Sequence, residues 1–153
     1  MEYSKITISG KICTGKTTLL KDLQKELNWP IFMTGRLFRD YVEKNKLNLE
    51  QVEEQNEELT KKIDYQVRDM LKTGKNLIVD GWMSGLMANH FPNILKILLV
   101  CQDNIRYKRF AEREKISINE AKKRVEERQL NWFKKLEVIY KRSDFVDPKN
   151  YDL

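Results

Sequence analysis

At 153 residues, 41% of them hydrophobic, the chain is long enough for one buried core and too short for two ordinary domains, so a single domain over 1–153 with a small insertion is expected. No run approaches the roughly 18 apolar residues of a membrane span, and Met1-Glu2-Tyr3-Ser4-Lys5 leads into a strand-like segment instead of an export signal, which predicts a cytoplasmic protein. The net charge of +6 is local: residues 103–142 hold 13 Lys/Arg against 7 Asp/Glu and the remainder balances, so a basic region serving small polyphosphates is favoured over a nucleic-acid footprint.

Lys5 to Ser9 alternates Ile6 and Ile8 with Thr7 before Gly10 and reads as a buried strand ending in a tight turn. Lys16 to Leu27 carries Leu19, Leu20, Leu23 and Leu27 at helical spacing. Pro30 to Thr34 is a short second strand, followed by helices over Arg36 to Lys46 and Leu49 to Lys72, the latter closed by Gly74. The charge run Glu50 to Lys62 reads as a solvated helix face. Asn76 to Asp80 looks like a central parallel strand covered on both faces, and Ile94 to Cys101 makes a fourth. A helix near Ile105 to Lys115 precedes a longer one from Ile118 to about Lys141, with Ser117 and Glu120 spaced as a capping box. Strands alternating with helices predict a three-layer α/β/α fold on a parallel sheet, with ligands outside the carboxyl ends of the strands. The helices over 36–73 exceed what a crossover needs, which predicts a small substrate-covering insertion.

The sharpest signal is Gly10-Lys11-Ile12-Cys13-Thr14-Gly15-Lys16-Thr17, a G-x-x-x-x-G-K-T run between a strand and a helix. Its backbone N–H groups, continuing to Thr18 at the helix start, would cradle the phosphates of ATP. Lys16 would reach between the β- and γ-phosphates and Thr17 would ligate Mg²⁺. Asp80, closing its strand before Gly81, would emerge beside the loop as the acidic partner of the metal. Arg109 and Arg113 share one helix face, as do Arg124 and Arg128 on the next, so guanidinium groups would converge on a transferring phosphoryl. Arg106 and Arg142 read as solvated. Cys13 and Cys101 lack metal-ligand spacing and read as packed, reduced thiols, His90 as a structural or exposed loop residue, and Trp132 and Phe133 as core.

Thr34-Gly35-Arg36-Leu37-Phe38-Arg39 resembles the acceptor-gripping turn of adenylate and archaeal-type cytidylate kinases. Asp80-Gly81, Asp64-Tyr65-Gln66-Val67-Arg68, Lys108 to Glu114 and Glu127-Arg128 extend the resemblance to the cytidylate kinase-like nucleoside monophosphate kinases over nearly the whole chain. The resemblance implies a P-loop NTPase fold with four to five strands, a helical acceptor-binding insertion at 36–73 and an arginine-rich lid at about 106–128. It assigns Thr34, Gly35 and Arg39 to the acceptor phosphate and places Arg36 outside the pattern. Asp64 and Arg68 would line the base pocket, although an i, i+4 Asp-Arg pair is equally an ordinary helix salt bridge. Trp82 stands where the family carries an arginine that meets the acceptor; its ring can stack on a base but cannot pair with phosphate. Tyr151-Asp152-Leu153 resembles the start of the family's last strand, so a four-strand core with a stub is expected, in a monomer or a dimer formed through that edge. The activity implied is transfer of the ATP γ-phosphoryl to CMP or dCMP. A nucleotide-binding regulatory protein without turnover, and a kinase of another small acceptor, remain the alternatives.

Overall fold

The computed structural model describes residues 3–47 and 56–153. Four parallel strands, β1 (Lys5–Gly10), β2 (Ile31–Met33), β3 (Leu77–Asp80) and β4 (Ile94–Leu99), form one sheet in the order β2-β3-β1-β4. The helices are α1 (Lys16–Leu27), α2 (Thr34–Asn45), α3 (Glu57–Thr73), α4 (Ser84–Met87), α5 (Asp103–Glu114) and α6 (Ile118–Tyr140). β1 and β3 are buried along their whole lengths, which is what a strand flanked on both sides and covered on both faces requires.

Alternation along β3 splits the core into two layers. Ile78 joins Ile6, Ile8 and Leu20 on the α1 face, while Leu77 and Val79 join Val67 and Leu71 on the α3 face. Two further apolar clusters lie beyond the sheet. Phe38, Ile63, Trp132, Leu136 and Phe145 bind α2 and α3 to α6, and Ile12 of the glycine loop packs with Phe110, Ala111, Ala121 and Val125 of the α5–α6 hairpin. This second contact fixes the hairpin against the loop by apolar burial, at about 25 cal/mol per Å² removed from water.

The predicted elements all form within a few residues of their expected bounds, except that α3 begins at Glu57; residues 48–55, which hold the start of the predicted helix and much of the charge run, lie outside the described ones. Gly74 caps α3 with its N–H on the Met70 carbonyl, and the Ser117 hydroxyl accepts from Glu120 N–H. The four-residue α4 was not anticipated, being too short to carry a periodicity. At the outer edge of β4 the expected fifth-strand start is present: Leu153 N–H donates to Lys96 O at 3.2 Å and Leu98 N–H to Leu153 O at 2.8 Å, the slanted pattern of a parallel pair.

Candidate active site

The carboxyl ends of β1, β2 and β3 open into a cleft of about 920 Å³, walled on its other side by α5 and α6. β1 ends in Gly10 at φ 146°, where a Cβ would sit 2.5 Å from the Leu99 carbonyl oxygen. Only glycine can turn there, and the chain then loops to Gly15, the residue before α1. Inside the loop the Lys16 ammonium folds back and donates to the carbonyls of Gly10 and Lys11, both at 2.9 Å, while the Thr14 hydroxyl donates to Lys11 O at 3.0 Å. Burial pushes the Lys16 pKa down and the Asp80 carboxylate opposes it. The ammonium is thus held by weak, neutral acceptors that a phosphate oxygen would outcompete.

Asp80 reaches the same place from β3, one strand in from the sheet edge. Burial raises its pKa, against the Lys16 and Arg39 charges and a hydrogen bond from the Thr17 side chain. Gly81 follows because Thr34 is packed on it: a Cβ would lie 2.6 Å from the Thr34 hydroxyl oxygen. That contact brings the start of α2, with Thr34, Gly35 and Arg39, against the end of β3 and into the cleft.

From α3, Asp64 is 6% exposed and lines the cleft. The Tyr140 hydroxyl, from the last turn of α6, donates to its Oδ2 at 2.6 Å. Burial pushes the carboxyl up to about 7, opposed by that hydrogen bond and by the Lys135 charge. Arg68 is not with it: one turn along α3 it is exposed, its guanidinium 6.0 Å from the Tyr65 ring centre, and it does not line the cleft. Of the two residues expected to line the base pocket, Asp64 lines the cleft in this structure, while Arg68, although at i+4, lies by Tyr65 in solvent.

From the opposite wall Arg109, Arg113 and Arg128 all line the cleft. Arg109 Nη1 donates to Cys13 O at 3.2 Å and lies 3.7 Å from Cys101 Sγ. Arg113 donates to Glu114 at 2.8 Å and sits 5.0 Å from the Phe110 ring centre, with Arg124 at 5.6 Å from the same ring and outside the cleft. Ile12 through Thr18 line the cleft, while Lys11 turns to a smaller cavity of about 160 Å³ beside β4. Trp132 is buried core that also reaches the cleft wall, and His90 is exposed in a turn.

Arg106 corrects the sequence reading. Instead of a solvated charge it is 1% exposed. Its Nε donates to Ile12 O at 2.8 Å, Nη2 to Gln129 Oε1 at 2.9 Å, and Nη1 pairs with Asp103. It ties the glycine loop to both helices of the hairpin. Its spacing from Arg109 and Arg113, by three and seven residues, put it on their face, which was the signal available. Arg142, also expected to be solvated, grips Asp144 with two hydrogen bonds at 2.6 and 2.7 Å. Ser9 and Ser84 were missed as well. Their hydroxyls lie 3.2 Å apart, Ser84 donates to Gly81 O at 2.8 Å, and Gly85 N–H donates to Ser9 at 3.1 Å, bracing the end of β3 beside Asp80.

A paired hydroxyl and carboxylate, Thr17 and Asp80, offer hard oxygen donors of the kind Mg²⁺ takes, and a buried lysine beside them suits a polyphosphate. Among the described residues no group of three His, Cys, Asp or Glu side chains could hold a metal alone, so the remaining ligands of such an ion would be phosphate oxygens and water. No helix among the described residues is long and apolar enough to cross a membrane.

Comparison with known proteins identifies the family. Residues 6–131 match the family model described as an AAA domain. The chain is 32% identical to the cytidylate kinase of Saccharolobus islandicus, over 88% of this chain and 72% of that one, and 29% identical to the cytidylate kinase of Thermoplasma volcanium, over 97% and 80%. In fold it is similar to the shikimate kinase of Bacteroides thetaiotaomicron, at a TM-score of 0.62 and 14% identity over 97% of this chain and 84% of that one. The loop between β1 and α1, the acid at the end of β3 and the matched span together mean that this chain belongs to the cytidylate kinase-like nucleoside monophosphate kinases, of P-loop α/β/α fold.

Proposed function

We propose that the protein transfers the γ-phosphoryl group of ATP to a pyrimidine nucleoside monophosphate, CMP or dCMP. The observation that carries the proposal is the single cleft that faces the loop lysine, Lys16, and Asp80 on one side and Arg39 and Asp64 on another, with three lid arginines opposite. Residues 36–73 serve as the acceptor-binding insertion and about 106–128 as the lid.

In this reading the loop from Gly10 to Thr18 and the N-terminus of α1 bind the ATP phosphates through backbone N–H groups and Lys16. Thr17 and Asp80 would hold Mg²⁺, which when bound neutralises charge on the β- and γ-phosphates. Arg39 fixes the acceptor phosphate, a task that suits a planar, bidentate guanidinium better than an ammonium. Asp64 accepts a hydrogen bond from the base, with the cytosine amino group as the fitting donor. An ionised oxygen of the acceptor phosphate attacks the γ-phosphorus, the bond to the β,γ-bridging oxygen breaks, and ADP leaves. No general base is required, because the nucleophile is already an anion. Arg109, Arg113 and Arg128 stabilise the charge spread over the transferring group and shield it from water, which would otherwise hydrolyse ATP. Arg113 must first leave Glu114, an exchange that costs little because both side chains are substantially exposed, at 52% and 36%.

The test is ADP release with Mg·ATP across CMP, dCMP, UMP, AMP and shikimate. CMP or dCMP should give the largest kcat/KM. ATP binding with no acceptor-dependent ADP release would replace the kinase reading with a nucleotide-binding regulatory one.

A further inference from the structure

Trp82 occupies the turn between Gly81 and α4, two residues beyond Asp80. Its ring is half-buried and lines the cleft. One side is braced by α6: the Trp132 ring lies at 6.0 Å and 67°, the Phe133 ring at 5.5 Å and 73°, both edge-to-face. Phe38 continues this wall, 5.7 Å from Trp132 at 88°. An indole held by two edge-to-face aromatic contacts and by the apolar cluster around Ile12, and still lining the cleft, has its rotamer entropy already spent, which is what a stacking platform needs.

The position along the cleft suits a base better than a phosphate. The Trp82 Cα lies at most about 7 Å of chain beyond that of Asp80, and the indole packs toward Trp132 and Phe133 of α6 as well as against the cluster of Ile12, Phe110 and Val125. Lys135 links that end to the acceptor carboxylate: its ammonium is 5.3 Å from the Trp132 ring centre, and its charge acts on Asp64. Tyr140 occupies Asp64 Oδ2, so the carboxyl is oriented before any ligand arrives. An aromatic face and a pinned hydrogen-bonding edge in one cleft are the two elements that recognise a planar heterocycle. An indole carries no charge and a single N–H donor, so the bidentate ionic grip on phosphate falls to Arg39.

We propose that Trp82 is a specificity-determining residue that stacks on the acceptor's base, with Tyr140 acting as the positioning residue for Asp64 at the base's edge, so that the acceptor is selected by its heterocycle more than by its phosphate. This inference rests on the nucleotide-acceptor reading above.

The test compares Trp82→Phe, Trp82→Ala and Tyr140→Phe with the wild-type protein, using CMP as acceptor and ribose 5-phosphate, which lacks a base, as a competitor. Stacking losses correspond to roughly a 5- to 150-fold change. Trp82→Ala should raise the KM for CMP within that range at nearly constant kcat and leave inhibition by ribose 5-phosphate unchanged, and Trp82→Phe should recover most of the loss. Tyr140→Phe should raise the KM for CMP several-fold with the same indifference to ribose 5-phosphate. CMP added without ATP should quench tryptophan emission in the wild type and much less in Trp82→Phe. A CMP KM within twofold of wild type in a folded Trp82→Ala overturns the proposal. So does an equal loss for CMP and ribose 5-phosphate, which would assign Trp82 to packing alone. Absence of turnover with every monophosphate in the wild-type protein would sink the kinase reading instead, and the quenching arm would still decide whether Trp82 stacks on a base.

Discussion

Replacing Arg106 by alanine should damage both the fold and the nucleotide site. The side chain is 1% exposed and makes two hydrogen bonds to neutral groups, Ile12 O at 2.8 Å and Gln129 Oε1 at 2.9 Å. Hydrogen bonds from a charged donor contribute about 1.5–3 kcal/mol each. The pairing with Asp103 adds little, since that carboxylate is 59% exposed. Against the loss stands the relief of desolvating a guanidinium, so the net destabilisation should be about 2–4 kcal/mol, on the order of 10 °C in Tm for a chain of this size. The functional part has a separate cause. Ile12 O belongs to the phosphate loop, and without Arg106 the loop loses the shorter of two hydrogen bonds from α5, keeping that from Arg109 to Cys13 O. The KM for ATP should therefore rise about tenfold, while the KM for the acceptor changes little. Arg106→Met is the companion variant: it restores apolar packing and removes the buried charge, so it should regain stability without regaining ATP affinity. Urea unfolding and ADP-release kinetics measure the two effects. Destabilisation below about 0.5 kcal/mol together with an unchanged ATP KM in Arg106→Ala would refute the argument.

Lys16→Ala should lower kcat by roughly a thousandfold or more, because its ammonium faces charge that develops only during transfer; an ADP-release rate within tenfold of wild type would reject that role. Arg39→Ala should raise the KM for CMP by one to two orders of magnitude with the ATP KM nearly constant, measured by varying each substrate at saturation of the other. Asp64 gives a pH prediction. Its folded-state pKa, pushed up by burial to about 7 from an ordinary 3.8, means that the folded protein holds a proton the unfolded chain has released, so stability should fall as pH rises from about 4 to about 7. The bound is roughly 4 kcal/mol at 1.36 kcal/mol per unit. The difference in unfolding free energy between wild type and Asp64→Asn should follow that slope, and parallel pH profiles for the two proteins would show that Asp64 is not responsible.

Which parts of the molecule were legible in the sequence follows from how each part is specified. The sheet strands are short apolar runs bounded by turn residues, and the glycine loop needs Gly10 where the backbone brushes Leu99 O, so both leave local marks. Arg39, Arg109, Arg113 and Arg128 were found because helical spacing and motif pattern coincide there, and they do line one cleft. Arg106 shares the same spacing, and nothing local separates it from its neighbours. What holds it in the interior is the Ile12 carbonyl, 94 residues away, together with Gln129 on the next helix. Arg68 differs in the opposite direction: it matches the acceptor pattern beside Asp64, yet it lies by Tyr65 in solvent. Tyr140 and Ser84 take their roles from partners 76 residues away, Asp64 and Ile8, and an isolated tyrosine at a helix end carries no period that could announce it. The chemistry of the donor half is thus written in a contiguous motif, because a phosphate chain is bound by consecutive backbone N–H groups. In the proposed function the acceptor half draws on α2, α3, β3 and α6, as a base enclosed from several sides would require. Any difference in substrate choice among these kinases should for that reason lie in residues such as Trp82 and Asp64, which are separated in sequence and joined by packing.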